Sequence, residues 1–547
     1  MHSGKKLALA ALAALSASLC APLLLNAQSS AVHTDSGNLR GVIQGAIESF
    51  KGVPFAAPPV GELRWRAPQP VKPWTGVRNA NAYSADCMQV PFPSDAAPLG
   101  TTPAEDCLYL NVWRPAGTHP GDKLPVMFWI YGGGFVNGGS SPAVYDGSKF
   151  AAKGVVFVSA NYRLGRFGFF AFPELTRENP DGMLGNYAFM DQIAALQWVQ
   201  RNIAAFGGDA SNVTVLGESA GGFSVHMLLT SPLTKGLFTK AIVESGGGRG
   251  NLGGQRYVST ALPNGPASAE SVGVEFAKSM GIQGTGKAAL EALRRLPAEK
   301  VRGTLNMATM GQPGYSGPMI DGRVVVADPQ AVYLSGGAWH VPILIGTNSL
   351  DIGFGFQPSK QALFDSFGPY REQAMQAYDP TGNAPLAAVR YAVNMDRFMV
   401  EPARFVATVF ASEGQPAYIY RFSYVAQSMR KQWPGAPHAT EIPYVFDTVQ
   451  AKYGKDLAPE DETTAQDMLS YWVAFAKTGN PGTGDSNPGN SVAWPRFTPE
   501  TNMVMDFTQN HGPIAKTDPW KARLDVTSAI VSSAPPAPTR PAPPANH

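Results

Sequence analysis

The stretch Val213-Thr-Val-Leu-Gly-Glu-Ser-Ala-Gly-Gly222 leaves a chain few ways to fold around it. Four β-prone residues run straight into Gly217-Glu-Ser-Ala-Gly221, a G-x-S-x-G pattern. It reads as a strand, a sharp turn and a helix. Ser219 then sits at the turn with its hydroxyl above the sheet edge. Gly217 and Gly221 lack a Cβ, so strand and helix can close around it. Ala220 opens the helix, where a backbone N–H has no partner within the helix and can point at a developing negative oxygen. Alone, the pentapeptide also fits a plain Gly-rich loop. The rest of the chain separates the two readings.

Residues 126–131 and 155–160 are near-continuous apolar runs, followed by Gly132-Gly-Gly134 and by Asn161-Tyr-Arg-Leu-Gly165. Both predict central strands of a parallel sheet covered on two faces. Ile193, Leu196, Val199, Ile203 and Phe206 recur at helical spacing up to Gly207-Gly208. Further strands are expected at 108–112, 241–245, 341–346 and 417–422, the last near the far edge of the sheet. Strand, helix, strand in this order means an α/β fold with a doubly wound, mostly parallel sheet. Residues 50–65 are rich in Pro and Gly and predict an ordered loop carrying Phe50, Phe55, Leu63 and Trp65. Residues 255–310 and 355–412 read as helix-rich cap or peripheral insertions. Length alone leaves room for three or four domains. No internal repeat or clean linker divides the chain, so residues 28–531 read as one catalytic unit. Residues 532–547, mostly Ser, Ala and Pro, predict a disordered tail.

The N-terminus has the order of a signal peptide over residues 1–27. Lys5 and Lys6 form the positive region, residues 7–25 the apolar stretch, and Ala27 a small residue before a cleavage point. Ser16, Ser18 and Pro22 weaken the rival reading of an uncleaved anchor. Export to the periplasm or the medium is expected, with no stable membrane insertion after cleavage. Without Lys5 and Lys6 the chain carries 41 basic and 41 acidic residues. No basic cluster points to nucleic acid. Of three cysteines, cleavage removes Cys20; Cys87 and Cys107 remain and would pair in an oxidising compartment. No His/Cys cluster has zinc spacing, so no metal and no cofactor are implied. Gly281-Ile-Gln-Gly-Thr-Gly-Lys-Ala288 nearly spells a phosphate loop, but Ala288 stands where the magnesium-binding hydroxyl belongs and no strand leads into it.

A serine nucleophile needs a base, an orienting acid and an oxyanion hole. On an α/β-hydrolase fold the chain order is Ser, then Asp or Glu, then His. Five histidines follow Ser219. His226 lies in the helix after the turn and points away, His340 precedes a strand, and His511 and His547 lie in or near the tail. His438 stands on a loop before an apolar segment, the place for a base delivered over the C-terminal sheet edge. Asp351 follows the 341–346 strand and can hold the histidine Nδ1–H. Its competing role is a solvated or helix-capping aspartate.

With these residues laid out, the chain resembles the type-B carboxylesterases, the family of carboxylesterases, cholinesterases and bacterial p-nitrobenzyl esterases. The likeness runs from about residue 32 to 500. It includes Phe50-Lys-Gly-Val-Pro-Phe, Glu105-Asp-Cys-Leu-Tyr-Leu-Asn-Val112, Tyr131-Gly-Gly-Gly-Phe135, Phe206-Gly-Gly-Asp209, Gly217-Glu-Ser-Ala-Gly-Gly222 and His438-Ala-Thr-Glu441. The resemblance implies hydrolysis of small-molecule esters with Ser219 as nucleophile, His438 as base and Asp351 as acid. It also implies an oxyanion hole of the Gly133, Gly134 and Ala220 N–H groups, supporting roles for Glu218, Glu441 and Ser245, and a Cys87–Cys107 disulfide. Two departures stand out. The family usually writes its acid as Asp-Glu-Gly, whereas Leu350-Asp-Ile-Gly353 puts an aspartate, one methylene shorter, in the glutamate position. After Ser245 the chain reads Gly-Gly-Gly-Arg249, which predicts a roomy acyl side bounded by Arg249 and Leu252. Arg249 there either meets an anionic substrate or is a solvated side chain on a flexible loop. Amide or carbamate hydrolysis by the same triad stays open, as does a non-catalytic binding domain of the neuroligin type, although relatives of that type have lost the nucleophile. Oligomeric state is not legible.

Overall fold

The structure, a computed structural model, describes residues 27–533 apart from 29, 94–97, 250–255, 264, 483–491 and 511. The leader up to residue 26, Leu252, His511, His547 and the tail beyond residue 533 lie outside the described residues.

A twelve-stranded sheet runs through the molecule. Its strands are β1 (Ala27–Gln28), β2 (Val42–Gln44), β3 (Ile47–Pro54), β4 (Tyr109–Pro115), β5 (Leu124–Ile130) and β6 (Val156–Ala160). β7 (Gly208–Glu218), β8 (Lys240–Glu244), β9 (Ile343–Asn348), β10 (Ala417–Phe422), β11 (Met503–Thr508) and β12 (Gly512–Thr517) complete it. The order across the sheet is β1-β2-β3-β4-β6-β5-β7-β8-β9-β10-β11-β12. From β6 to β11 every neighbouring pair is parallel. Antiparallel pairs form the two flanks. All residues of β6, β8 and β9 are buried, as continuous apolar strands between two covered faces require.

Helices α1 (Tyr187–Asn202), α2 (Ala220–Thr230), α3 (Glu401–Ser412), α4 (Pro459–Thr478) and α5 (Lys521–Ser533) are among the longest within the described residues. α1 passes into a 3-10 turn that Gly207 ends at φ 79°, so the Gly207-Gly208 stop acts as the spacing predicted. Large rings fill the core: Trp129 lies 5.2 Å from Tyr145 and 4.9 Å from Phe446. Each such burial contributes about 1.5–3 kcal/mol. Among the described residues no helix is long and apolar enough to cross a membrane.

Three parts of the sequence reading need correction. The Pro/Gly-rich stretch is not all loop, because its first residues belong to β3; the remainder is ordered, with Trp65 stacked on Phe170 at 4.3 Å. β10 is not close to the edge, since β11 and β12 lie beyond it. β12 carries Pro513 and Lys516, residues that suit an edge strand and hide its signal in the sequence. α5 continues to Ser533, past the expected start of the tail. The phosphate-loop look-alike is a turn that leads from the helix Ala269–Ser279 into the helix Lys287–Arg294.

Candidate active site

Ser219 is the single residue between the end of β7 and the start of α2. Its φ is 54° and ψ −121°, a conformation that costs a non-glycine residue about 1–3 kcal/mol. Its N–H donates to the Glu244 carbonyl at 2.9 Å, and its carbonyl accepts from the Phe223 N–H at 2.8 Å. The flanking glycines make room for this turn. A Cβ on Gly217 would lie 2.5 Å from the Gly221 carbonyl carbon, and one on Gly221 would overlap the Ile130 carbonyl oxygen.

β5 delivers the glycine loop to the same place. A Cβ on Gly132 would come 2.9 Å from that of Ser219. Gly133 and Gly134 then take φ of 99° and 62°, backbone that brings N–H groups round without a side chain in the way. The disulfide-closed loop braces this turn. Cys87 and Cys107 are bonded, with Cα atoms 5.0 Å apart. Beside them Gln89 Oε1 accepts from the Gly138 N–H at 2.9 Å, and Asn137 Nδ2 donates to the Val90 carbonyl at 2.7 Å.

His438 and Asp351 come from two loops stitched together. The Leu350 N–H donates to the Ala436 carbonyl at 2.8 Å. Asn348 Nδ2 donates to the Pro437 carbonyl at 2.7 Å and to Glu441 Oε2 at 2.5 Å. This stitching lets the shorter aspartate reach: Asp351 Oδ1 lies 2.7 Å from His438 Nδ1. Asp351 Oδ2 accepts from the Ser245 hydroxyl at 2.7 Å and from the Asn348 N–H at 2.9 Å, and Oδ1 also accepts from the Ile352 N–H at 2.8 Å. Burial pushes this carboxyl up, but His438 and these donors outweigh it and leave it below the usual carboxylate range. The other imidazole nitrogen lies 3.2 Å from Glu218 Oε1, which brings the ring to the residue before Ser219. Glu441 is fully buried, and burial together with the Asp351 charge raises it to about 7.

The other candidates fall away from this cluster. His226 is buried in α2, 2.7 Å from the Tyr333 hydroxyl, and burial lowers it to about 4. His340 sits 3.3 Å from Glu413 at the surface. Arg249 is neither a solvated side chain nor an open anion site. It is buried, pairs with Glu401 at 2.7 Å, donates to Ser532 of α5 at 2.7 Å and lies 4.5 Å over the Phe405 ring. Its charge is already neutralised, and the expectation of a substrate contact is corrected accordingly. The sequence reading missed Asn348, Glu244 and Tyr391, whose hydroxyl donates to the Asp351 carbonyl at 2.6 Å. Asn348 and Glu244 end strands beside the motif residues, and that position was the available signal. Among the described residues no cluster of three or more His, Cys, Asp or Glu has the arrangement of a metal site.

A strained serine at a strand-to-helix turn, a glycine loop against it, and a histidine held by a buried acid on a mostly parallel sheet define a hydrolase of the α/β-hydrolase class. The sequence model of the carboxylesterase family matches residues 28–523. The fumonisin B1 esterase of Sphingopyxis macrogoltabida is 35% identical over 496 residues, covering 88% of this chain and 86% of the relative. The para-nitrobenzyl esterase of Bacillus subtilis (strain 168) is 34% identical over 497 residues, covering 87% and 94%. A solved structure of a PNB esterase superposes with a TM-score of 0.76 at 31% identity, covering 91% of this chain and 99% of that one. The chain belongs to the carboxylesterase family and is a carboxylic ester hydrolase.

Proposed function

We propose that the enzyme cleaves esters through an acyl-enzyme on Ser219. The observation that carries this reading is the 2.7 Å contact between Asp351 and His438 Nδ1, with the other face of the ring turned to the Glu218–Ser219 elbow. Asp351 holds the imidazole in the tautomer that leaves Nε2 free of a proton. His438 takes the Ser219 proton as the hydroxyl attacks the acyl carbonyl. The N–H groups of Gly133, Gly134 and Ala220 receive the oxyanion, each worth about 3 kcal/mol in such sites. His438 returns the proton to the leaving alcohol, then activates a water that releases the acid. Glu218, beside Nε2, favours the transient imidazolium.

Side chains around this position favour an uncharged ester with an apolar group. Met310 Sδ lies 3.2 Å from where a Cβ on Gly134 would stand. Met310, Phe398 and Phe354, three residues past Asp351, are all exposed. The neutralised Arg249 supplies no free cation for an anionic ester. The Cys87–Cys107 bond supports an oxidising compartment and hence export.

Hydrolysis of p-nitrophenyl acetate, butyrate and octanoate tests the reading. Ser219→Ala is expected to lose turnover on all three, with the octanoate favoured over the acetate by the intact enzyme. Turnover that survives in Ser219→Ala would remove the serine mechanism.

A further inference from the structure

One rung of the central sheet carries more buried carboxyl groups than this chemistry uses. Glu218 on β7 pairs in register with Glu244 on β8, Glu244 with Gly346 on β9, and Gly346 with Tyr420 on β10. Neighbours on one rung send their side chains to the same face, about 4.8 Å apart. Glu218 and Glu244 are thus side by side, and both are fully buried. Gly346 adds no side chain, and the Tyr420 ring fills the place of its Cβ. Trp472 of α4 closes the rung: its Nε1 donates to Glu244 Oε1 at 2.7 Å, and its ring lies 5.3 Å from that of Tyr420. Glu244 Oε2, Glu441 Oε1 and the Tyr420 hydroxyl are buried here with no hydrogen-bond partner among the described residues.

Carboxyls packed this way do not all ionise. The groups facing Glu244 are Glu218 from β7, Tyr420 from β10, the uncharged Trp472 from α4, and Glu441 from the turn after His438. Asp351 and His438 act on Glu441 by their charges. Glu218 and Asp351 each have the imidazole beside them; among the described residues no cation acts on Glu244. Burial first, and then repulsion from Glu441, hold Glu244 well above the ordinary carboxylate range. As a neutral acid Glu244 needs an acceptor for its O–H. As an anion Glu441 needs a donor at Oε1. The two orphaned oxygens complement each other.

We propose that Glu244 is a positioning residue for His438: its carboxylic acid donates to Glu441 Oε1, directly or through one water, and keeps Glu441 anionic behind the imidazole. The inference rests on the Ser219–His438 reading. Glu441 and His438 act on each other electrostatically. An anionic Glu441 therefore favours the imidazolium formed as His438 takes the serine proton, and a protonated one does not.

The test is the pH profile of kcat and kcat/KM on p-nitrophenyl butyrate. Glu244→Leu removes the donor; Glu244→Gln keeps one. Glu244→Leu is expected to lower kcat at least tenfold and to move the acid limb to lower pH by half a unit or more. Glu244→Gln is expected to stay within about threefold of the wild type. Glu441→Gln, which removes the negative charge instead, should move the limb the same way, and remains informative if Glu244→Leu does not fold. The Glu244→Leu/Glu441→Gln double variant should lose no more than the worse single change. Equal losses in Glu244→Gln and Glu244→Leu, an unmoved acid limb in Glu441→Gln, or losses that multiply in the double variant would overturn the inference. Absent turnover in the wild type, or Ser219-independent turnover, would instead overturn the functional reading beneath it.

Discussion

At the scale of single residues, the proposed acid, which departs from the family pattern, is held on every side. Asp351 is fully buried and accepts from Ser245, Asn348 and Ile352 as well as contacting His438. Asp351→Asn keeps the shape but loses the charge that orients the ring, so kcat is expected to fall about 10³–10⁴-fold, read as initial rates on p-nitrophenyl butyrate. Its folded carboxyl sits below its unfolded value. The stabilisation is therefore complete above the unfolded carboxylate range and lost as pH falls through the folded one. Urea midpoints between pH 7 and pH 3 should drop more steeply for the wild type than for Asp351→Asn; identical slopes would contradict this. Ser219 and His438 could be singled out as candidates because the chemistry allows few spacings, and the structure brings the His438 ring to Glu218, the residue before Ser219. Arg249 was misread because sequence does not show which acid, here Glu401 from a helix 152 residues later, arrives to neutralise it.

At the scale of elements, the strands of the sheet centre were readable from continuous apolar runs. β11, β12 and α5 were not: β11 is short and broken by Asp506, β12 is an edge strand carrying Pro513 and Lys516, and a helix of mixed polarity gives little periodic signal. The packing of α5 explains why it folds at all. Arg523 bridges Asp396 at 2.8 Å, Tyr378 reaches Thr527 at 2.7 Å, and Arg249 reaches Ser532. Arg249→Met leaves Glu401 buried without its partner, which costs about 3–5 kcal/mol. Thermal and denaturant unfolding should show that loss. The ratio of rates on p-nitrophenyl acetate and its hemisuccinate counterpart should stay unchanged. A selective loss of the anionic ester would restore Arg249 as a substrate contact.

At the scale of the whole molecule, one sheet organises both stability and chemistry. The ends of β5, β7, β8 and β9 supply the glycine loop, Ser219, the Glu244 rung and the Asp351 loop. The N-terminal flank secures them through the Cys87–Cys107 loop, whose residues hold Asn137 and Gly138. Reducing that bond is expected to cost about 3 kcal/mol and to slow turnover with it, seen as a lower denaturant midpoint in dithiothreitol. An unchanged midpoint would show that the loop holds its shape without the bond. The doubly wound fold class was legible from strand and helix order. The loops around 249–320 and 355–412 were legible as candidate pocket walls; which of their residues come against the glycine loop was not, because such contacts join residues as distant as Gly134 and Met310.

The central claim is the acyl-enzyme on Ser219, and covalent labelling addresses it most directly. The enzyme would be treated with a fluorophosphonate, digested, and the modified peptide located by mass spectrometry. The account predicts one equivalent of label on Ser219, loss of esterase activity in step with labelling, and no label in Ser219→Ala. Label on another residue, or full activity after complete labelling of Ser219, would contradict it.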